Sequence, residues 1–401
     1  MRLRHFVFMA LAATFLTACQ QEDVLNVSRI EGKASYRLSN DTLSRMAKLN
    51  MDQKSPILIR IFKEEGVMEI WKANTSNRYA MLKSYQICAW SGMLGPKKKE
   101  GDRQAPEGFY DITPSQMNPN SRYYLAFNVG FPNAYDRALG RTGNNLMVHG
   151  ACSSSGCYSM TDAQVQEIFA LAHDAFDGGQ TAIQLQAFPF RMTAENMVKH
   201  KNNSNFDFWK MIKVGYDQFE ISHRPPVVNI CNHTYVFNQV AAPGANFSPS
   251  AQCPAMSTPP DMAQAYASFE AKYDQDYAAA EKKYAGYVWD EPTEAQRKAA
   301  VAKLKSKVSD IAFAPTGNGL QAGKMIKLED LRTEEQKKVQ AEADKALAEA
   351  AMKAAAKTDV ADVPVPQANP ASTTSSVATA YQDVPAGDDA NKKPFWKFWG
   401  N

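Results

Sequence analysis

The sequence predicts an α+β protein: a compact β-rich, sandwich-like domain followed by a helical C-terminal extension and a disordered tail. Three observations lead there. Between residues 56 and 190 short β-type runs alternate with turn signals, and one amphipathic helix interrupts them. Residues 261–357 turn Ala-, Lys- and Glu-rich, with several helix starts. From residue 358 the composition is Pro, Ser, Thr, Ala and Asp, which cannot bury enough apolar surface to fold. A chain of 401 residues is long enough for one well-packed domain of about 150–200 residues plus extensions. Its 45 basic and 42 acidic residues leave a net charge of +3, too weak a field to hold nucleic acid, so no nucleic-acid partner is expected.

The N-terminus reads as an address. Arg2 and Arg4 precede an apolar run from Phe6 to Leu16, too short to span a membrane as a stable helix, which is the pattern of a secretory signal. Leu16-Thr17-Ala18-Cys19 resembles a bacterial lipobox, with Cys19 as the lipidated mature N-terminus. Gln20 rather than Asp follows it, which by resemblance to sorting signals implies a periplasm-facing protein anchored in the outer membrane. Residues 20–55 form a polar lead with a short helix near 41–49. The main domain, residues 56–192, contains β-type runs at 57–62, 67–71, 81–89, 123–129, 146–148 and 183–187. Residues 193–260 are a less regular accessory segment, with helix expected within 196–216 and Phe206, Phe208, Trp209 and Ile212 turned inward. His200, His223 and His233 lie there outside any catalytic motif and read as ordinary surface or core histidines.

In the helical extension, residues 261–357, Tyr266, Phe269, Tyr273, Tyr277 and Tyr284 recur at helical spacing and should form a packing stripe. Thr293 to Gln296 and Thr333 to Gln336 read as capping boxes, the second opening an Ala-rich run. The tail, residues 358–401, ends in Lys392-Lys393-Pro394-Phe395-Trp396-Lys397-Phe398-Trp399, whose alternating cations and aromatics suit an anionic membrane surface or a partner, or simply a disordered end.

The chemistry concentrates in residues 147–162, Met-Val-His-Gly-Ala-Cys-Ser-Ser-Ser-Gly-Cys-Tyr-Ser-Met-Thr-Asp. A free thiol is only a few per cent ionised at neutral pH, so a catalytic cysteine needs a base or a positive potential beside it. His149 can supply that base to Cys157. Thr161 to Gln164 reads as a capping box opening a helix with Val165, Ile168, Phe169, Ala172 and Phe176 on one face. Its N-terminus adds modest positive potential near the sulfur. Gly150, the serines at 153–155 and Gly156 let the backbone turn tightly and leave amides free for an oxyanion.

This segment resembles the active-site loop of the L,D-transpeptidase (YkuD-like) catalytic domain family, cysteine acyltransferases of the bacterial cell wall, which carry His-Gly followed by Ser-x-Gly-Cys. Here these are His149-Gly150 and Ser154-Ser155-Gly156-Cys157. The likeness continues through residues 56–62, 97–110, 131–137 and 188–193, and covers about residues 56–226. Those stretches are similar to a branch that includes an enzyme releasing murein-bound lipoprotein from peptidoglycan. The resemblance implies peptidoglycan stem peptides as substrate, Cys157 as nucleophile, His149 as proton acceptor and donor, and the backbone at Gly156 as part of an oxyanion hole. Attack falls at the third stem residue, and the thioester resolves by transpeptidation or by hydrolysis that releases wall-linked protein. No cofactor or metal is implied.

Ser155, Tyr158, Arg137 and Arg141 are candidate substrate contacts, the two arginines for a stem carboxylate. Three features depart from the commoner family pattern. Ser155 stands where many members have His or Lys, Ser159 where Arg or Asn is usual, and only seven residues separate His149 from Cys157, a shorter loop that should leave the cleft open to a protein-sized substrate.

Of six cysteines, Cys19 is assigned to lipid and Cys157 must stay reduced. Cys88, Cys152, Cys231 and Cys253 remain, enough for two bridges in an oxidising compartment, with Cys231 and Cys253 the favoured pair and the connectivity open. Cys231-Asn232-His233 has a short metal-ligand spacing but no second pair to complete a site. Two other functions compete: a non-catalytic wall-binding lipoprotein that tethers the outer membrane, against which the presence of both His149 and Cys157 argues, and a cysteine redox protein, against which the wide Cys152-x4-Cys157 spacing argues.

Overall fold

The computed structural model describes residues 32–293, 295–296 and 323–355. The expected signal, Cys19 and the tail from residue 358 lie outside the described residues. Two compact units divide the chain, one ending at Gln336 and the other beginning at Lys337.

Two sheets organise the first unit. Strands β1 (Ile57–Phe62), β2 (Val67–Ala73), β3 (Tyr79–Gln86), β4 (Gly108–Ile112) and β9 (Ile183–Phe188) form the larger, in the order β3-β2-β1-β9-β4. β1 is buried at every position because it lies centrally, antiparallel to β2 and parallel to β9, which is what an uninterrupted apolar run such as Ile-Leu-Ile-Arg-Ile-Phe requires. Arg60 is tolerated inside it because Glu220 lies 2.7 Å from its guanidinium and the rings of Tyr216 and Phe219 cover it. The smaller sheet runs β5 (Met117–Asn118), β6 (Ala126–Asn128), β7 (Met147–His149) and β8 (Tyr158–Ser159) in chain order.

Short helix α2 (Ala134–Ala138) follows β6, and helix α3 (Asp162–Asp177) contacts β1 of one sheet and β6 and β7 of the other. Its capping box is formed as expected: Gln164 N–H donates to Thr161 Oγ1 at 3.2 Å, and Thr161 N–H to Gln164 Oε1 at 3.0 Å. Val165, Ile168, Phe169 and Ala172 then enter the core.

Helix α1 (Asn40–Lys48), capped by Ser39, sends Met46 into the same core, and Thr42 donates to Glu167 of α3. α4 (Ala194–Lys199) and α5 (Phe206–Ser222) follow β9. Trp209 and Ile212 of α5 are fully buried, while Phe206 and Phe208 pack at the core's edge. α5 seats on the hairpin of β10 (Val228–Cys231) and β11 (Thr234–Phe237). Tyr266, Phe269, Tyr273 and Tyr277 of the stripe lie on α6 (Pro260–Lys283), where Tyr273 and Tyr277 pack against that core, and Tyr284 falls just past the helix end.

Thr293 and Gln296 exchange the capping-box hydrogen bonds expected of them. Thr333 does not cap. The final helix starts at Leu328 and runs to Ala355, and Thr333 sits inside it with its hydroxyl donating to Glu329 O at 2.8 Å. A helix already begun from a strand end has no use for a cap one turn later.

Candidate active site

β7 and β8 are parallel neighbours, with Val148 opposite Tyr158 and His149 opposite Ser159. Val148 and Tyr158 face the core and are fully buried. Side chains alternate along a strand, so Met147, His149 and Cys157 belong to the opposite face. Cys157 directly precedes β8, and its thiol lies beside Met147 of β7, two residues before His149. Cys157 Sγ accepts from Met147 N–H at 3.4 Å and its S–H donates to Asn145 O at 3.8 Å. Among the described residues Cys157 is the cysteine outside a disulfide, and it is partly exposed.

His149 is 3% exposed, under the ring of Tyr123 at 4.7 Å. Its Nδ1 lies 2.6 Å from Gly150 O. A carbonyl only accepts, so Nδ1 carries the proton and Nε2 holds the free lone pair. Burial holds His149 below the ordinary histidine range, with the Gly150 bond pulling the other way. Burial likewise pushes the Cys157 thiol up, opposed by the Met147 amide and the charge of Lys97. The resting pair is therefore neutral thiol and neutral imidazole.

The loop between the two residues is built from close approaches. A Cβ at Gly150 would lie 2.4 Å from Asp162 Oδ1 and 2.9 Å from Tyr123 O, so glycine alone fits. Ala151 and Cys152 then adopt left-handed φ values of 61° and 47°, a conformation that costs non-glycine residues about 1–2 kcal/mol each. Ala151 N–H donates to Asp162 Oδ1 at 2.8 Å and Cys152 N–H to Met160 O at 3.3 Å. Cys152 is joined to Cys88, and Cys231 to Cys253. The second bridge removes Cys231 as a metal ligand. Ser154 Oγ donates to Cys157 O at 2.6 Å, and Gly156 turns the chain at φ 116°. Among the described residues the Gly156 and Cys157 amides donate to no acceptor.

The expected substrate contacts separate. Ser155 and Arg137 are exposed at the surface, with Arg137 donating to Pro132 O. Tyr158 departs from expectation: its side chain is fully buried and its hydroxyl donates to Pro106 O, because it pairs with Val148 on the core face. Arg141 also departs. Its guanidinium is 2.9 Å from buried Asp136 and lies over the rings of Tyr135 and Phe208, so its charge is already used. Ser159 is buried, its hydroxyl donating to Ala89 O.

Lys97, Tyr123 and Asn145 reach the site without having been singled out from sequence. Lys97 is nearly buried, bonded to Asp102 and Lys99 O, and packed under Gly143, where a Cβ would meet its Cε at 2.8 Å. Burial opposes ionisation of Asp102, yet Lys97 and the amides of Lys98, Lys99 and Gln104 hold its carboxyl below the ordinary range.

The L,D-transpeptidase catalytic domain model matches residues 58–182, the span that carries both sheets' shared helix and the His149–Cys157 pair. The protein named "Putative L,D-transpeptidase YafK" from Escherichia coli K12 is 48% identical over 185 residues, 46% of this chain and 75% of that one; its counterpart from E. coli O157:H7 matches equally. The chain belongs to the L,D-transpeptidase family. Among solved structures, the helical cell shape determining protein Pgp2 from Campylobacter jejuni overlaps 36% of this chain and 54% of its own at 19% identity and a TM-score of 0.27. Bd1075 from Bdellovibrio bacteriovorus overlaps 48% and 82% at 14% identity and 0.26.

Proposed function

We propose that this chain is a cysteine acyltransferase that cuts peptidoglycan stem peptides after their third residue. The observation that carries the reading is the free Cys157 thiol beside Met147, two residues along β7 from a histidine whose Nε2 is left as a base. His149 Nε2 takes the thiol proton as Sγ attacks the third residue's carbonyl carbon. The amides of Gly156 and Cys157 hold the oxyanion. The leaving amine collects the proton from His149 and departs, and a thioester remains. A stem amine then gives a 3-3 cross-link, a protein amine gives anchoring, and water gives net hydrolysis.

Hydrolysis that frees wall-linked protein is the favoured outcome. The short loop between base and nucleophile, the exposed Ser155 and the partly exposed thiol support an open cleft that admits a stem joined to a protein lysine. Arg137 is the remaining candidate for a stem carboxylate. The sequence at residues 16–19 supports lipid anchoring through Cys19 at the periplasmic face of the outer membrane.

Defined tetrapeptide stems, free and lysine-linked, incubated with the purified protein and weighed by mass spectrometry, test the reading. A thioester adduct is expected on the parent and none on Cys157→Ala, which should fold normally and lose turnover. Product from Cys157→Ala would overturn the mechanism. Accumulation of 3-3 dimers with no protein release would make transpeptidation the main reaction, and binding without turnover would make the chain a wall tether.

A further inference from the structure

We propose that the Cys88–Cys152 disulfide is a positioning device for the base, holding the Gly150 carbonyl where it fixes the tautomer and aim of His149. The inference rests on the reading of His149 and Cys157 as the reacting pair. The chain of contacts is continuous. His149 Nδ1–H is held by Gly150 O, and the direction of that carbonyl is set by the peptide plane joining Gly150 to Ala151. That plane is fixed by two successive left-handed residues, Ala151 and Cys152, which L-residues adopt only when their surroundings demand it.

Three restraints impose the conformation: the Ala151 amide on Asp162, the Cys152 amide on Met160 O, and the covalent bond from Cys152 to Cys88. Cys88 is itself a firm anchor. It is buried, it follows the end of β3 in the larger sheet, and its amide donates to Ser159 O of β8. The bridge thus ties the larger sheet to the loop that begins one residue after His149. Loss of it would let Cys152 return to the ordinary backbone region, turn the Gly150 carbonyl away and free Nδ1 to lose its proton to Nε2. A histidine protonated at Nε2 has no lone pair for the thiol. Cys88 and Cys152 are positioning residues that act through His149.

Full-length protein carrying Cys88→Ser and Cys152→Ser, with Cys231–Cys253 intact, is compared with the parent by nitrogen NMR of the imidazole and by steady-state kinetics on a tetrapeptide stem. The parent should show His149 protonated at Nδ1. The double variant should show a tautomer mixture, a kcat lower by about tenfold or more and a KM within about twofold. Cys231→Ser with Cys253→Ser, which loses a bridge elsewhere, should lower the melting temperature and keep the tautomer and both constants. If the serine pair does not fold, Cys88→Ala with Cys152→Ala supplies a second bridge-free chain that keeps an L-residue at 152, and the same mixture is expected. A folded bridge-free variant with the parent's tautomer and kcat overturns the proposal. A parent inactive on every stem, with a tautomer that still follows the bridge, would sink the functional reading and leave this one standing.

Discussion

At the scale of the residue, the environment of His149 sets the pH profile that its proposed role as the base requires. Its imidazole is held below the ordinary range by burial, so it stays neutral and basic in mildly acidic solution. As pH falls through that depressed value the imidazole gains a proton and the base is lost. The acid limb of kcat/KM should therefore lie below about 6.5, the ordinary histidine value. The thiol, pushed up by burial, stays protonated through neutrality, which leaves a broad plateau between the limbs. A limb at pH 7 or above, measured on a defined stem, would contradict the assignment. His149→Ala should lower the rate by about 10²–10⁴-fold near neutrality and recover in part at high pH.

The candidate pair His149 and Cys157 stood out in the sequence because the two lie eight positions apart in one motif-rich stretch. Lys97, Tyr123 and Asn145 were not. They arrive from separate loops, and only tertiary packing brings them to the thiol and the imidazole. Arg141 misled for the same reason, since its partner Asp136 turns a candidate anion site into an internal pair.

At the scale of the element, legibility followed length and pattern. β1 and α3 announced themselves by an uninterrupted apolar run and by a capping box ahead of an amphipathic repeat. β8 has two residues and β4 starts with a glycine, so neither carries a periodic signal; pairing along β7 and β9 makes them strands. α5 shows packing overriding propensity. Alanine favours a helix by about 1 kcal/mol over glycine, yet at Gly215 a Cβ would lie 2.5 Å from Phe237 Cε1 and 2.6 Å from Phe109 Cζ. Gly215→Ala should therefore destabilise the fold by about 1–3 kcal/mol through overpacking, read as a lower melting temperature. An unchanged or raised melting temperature would show that the two rings yield without cost.

At the scale of the whole molecule, the 91–105 loop beside the candidate active-site segment is held to the core by charge. Lys63 and Glu107, both fully buried, sit 2.9 Å apart; Lys63 also donates to Met93 O, Gly95 O and Ala105 O, and Glu107 accepts from Gly95 N–H and Trp209 Nε1–H. Glu107→Gln leaves the lysine charge uncompensated and should cost about 3–5 kcal/mol in urea unfolding, whereas adding Lys63→Met should restore part of that loss. Strict additivity of the two changes would show that the ion pair is not coupled. The two sheets also set a problem for the maturing chain. Cys152 must find Cys88 across 64 residues while Cys157 waits five residues away. Loop-closure entropy favours the nearer thiol by about 2 kcal/mol in an unstructured chain. Oxidation ahead of folding would therefore lock the Cys157 thiol into a small ring, so the order of events, sheets first and bridge second, decides how much of the chain keeps that thiol free.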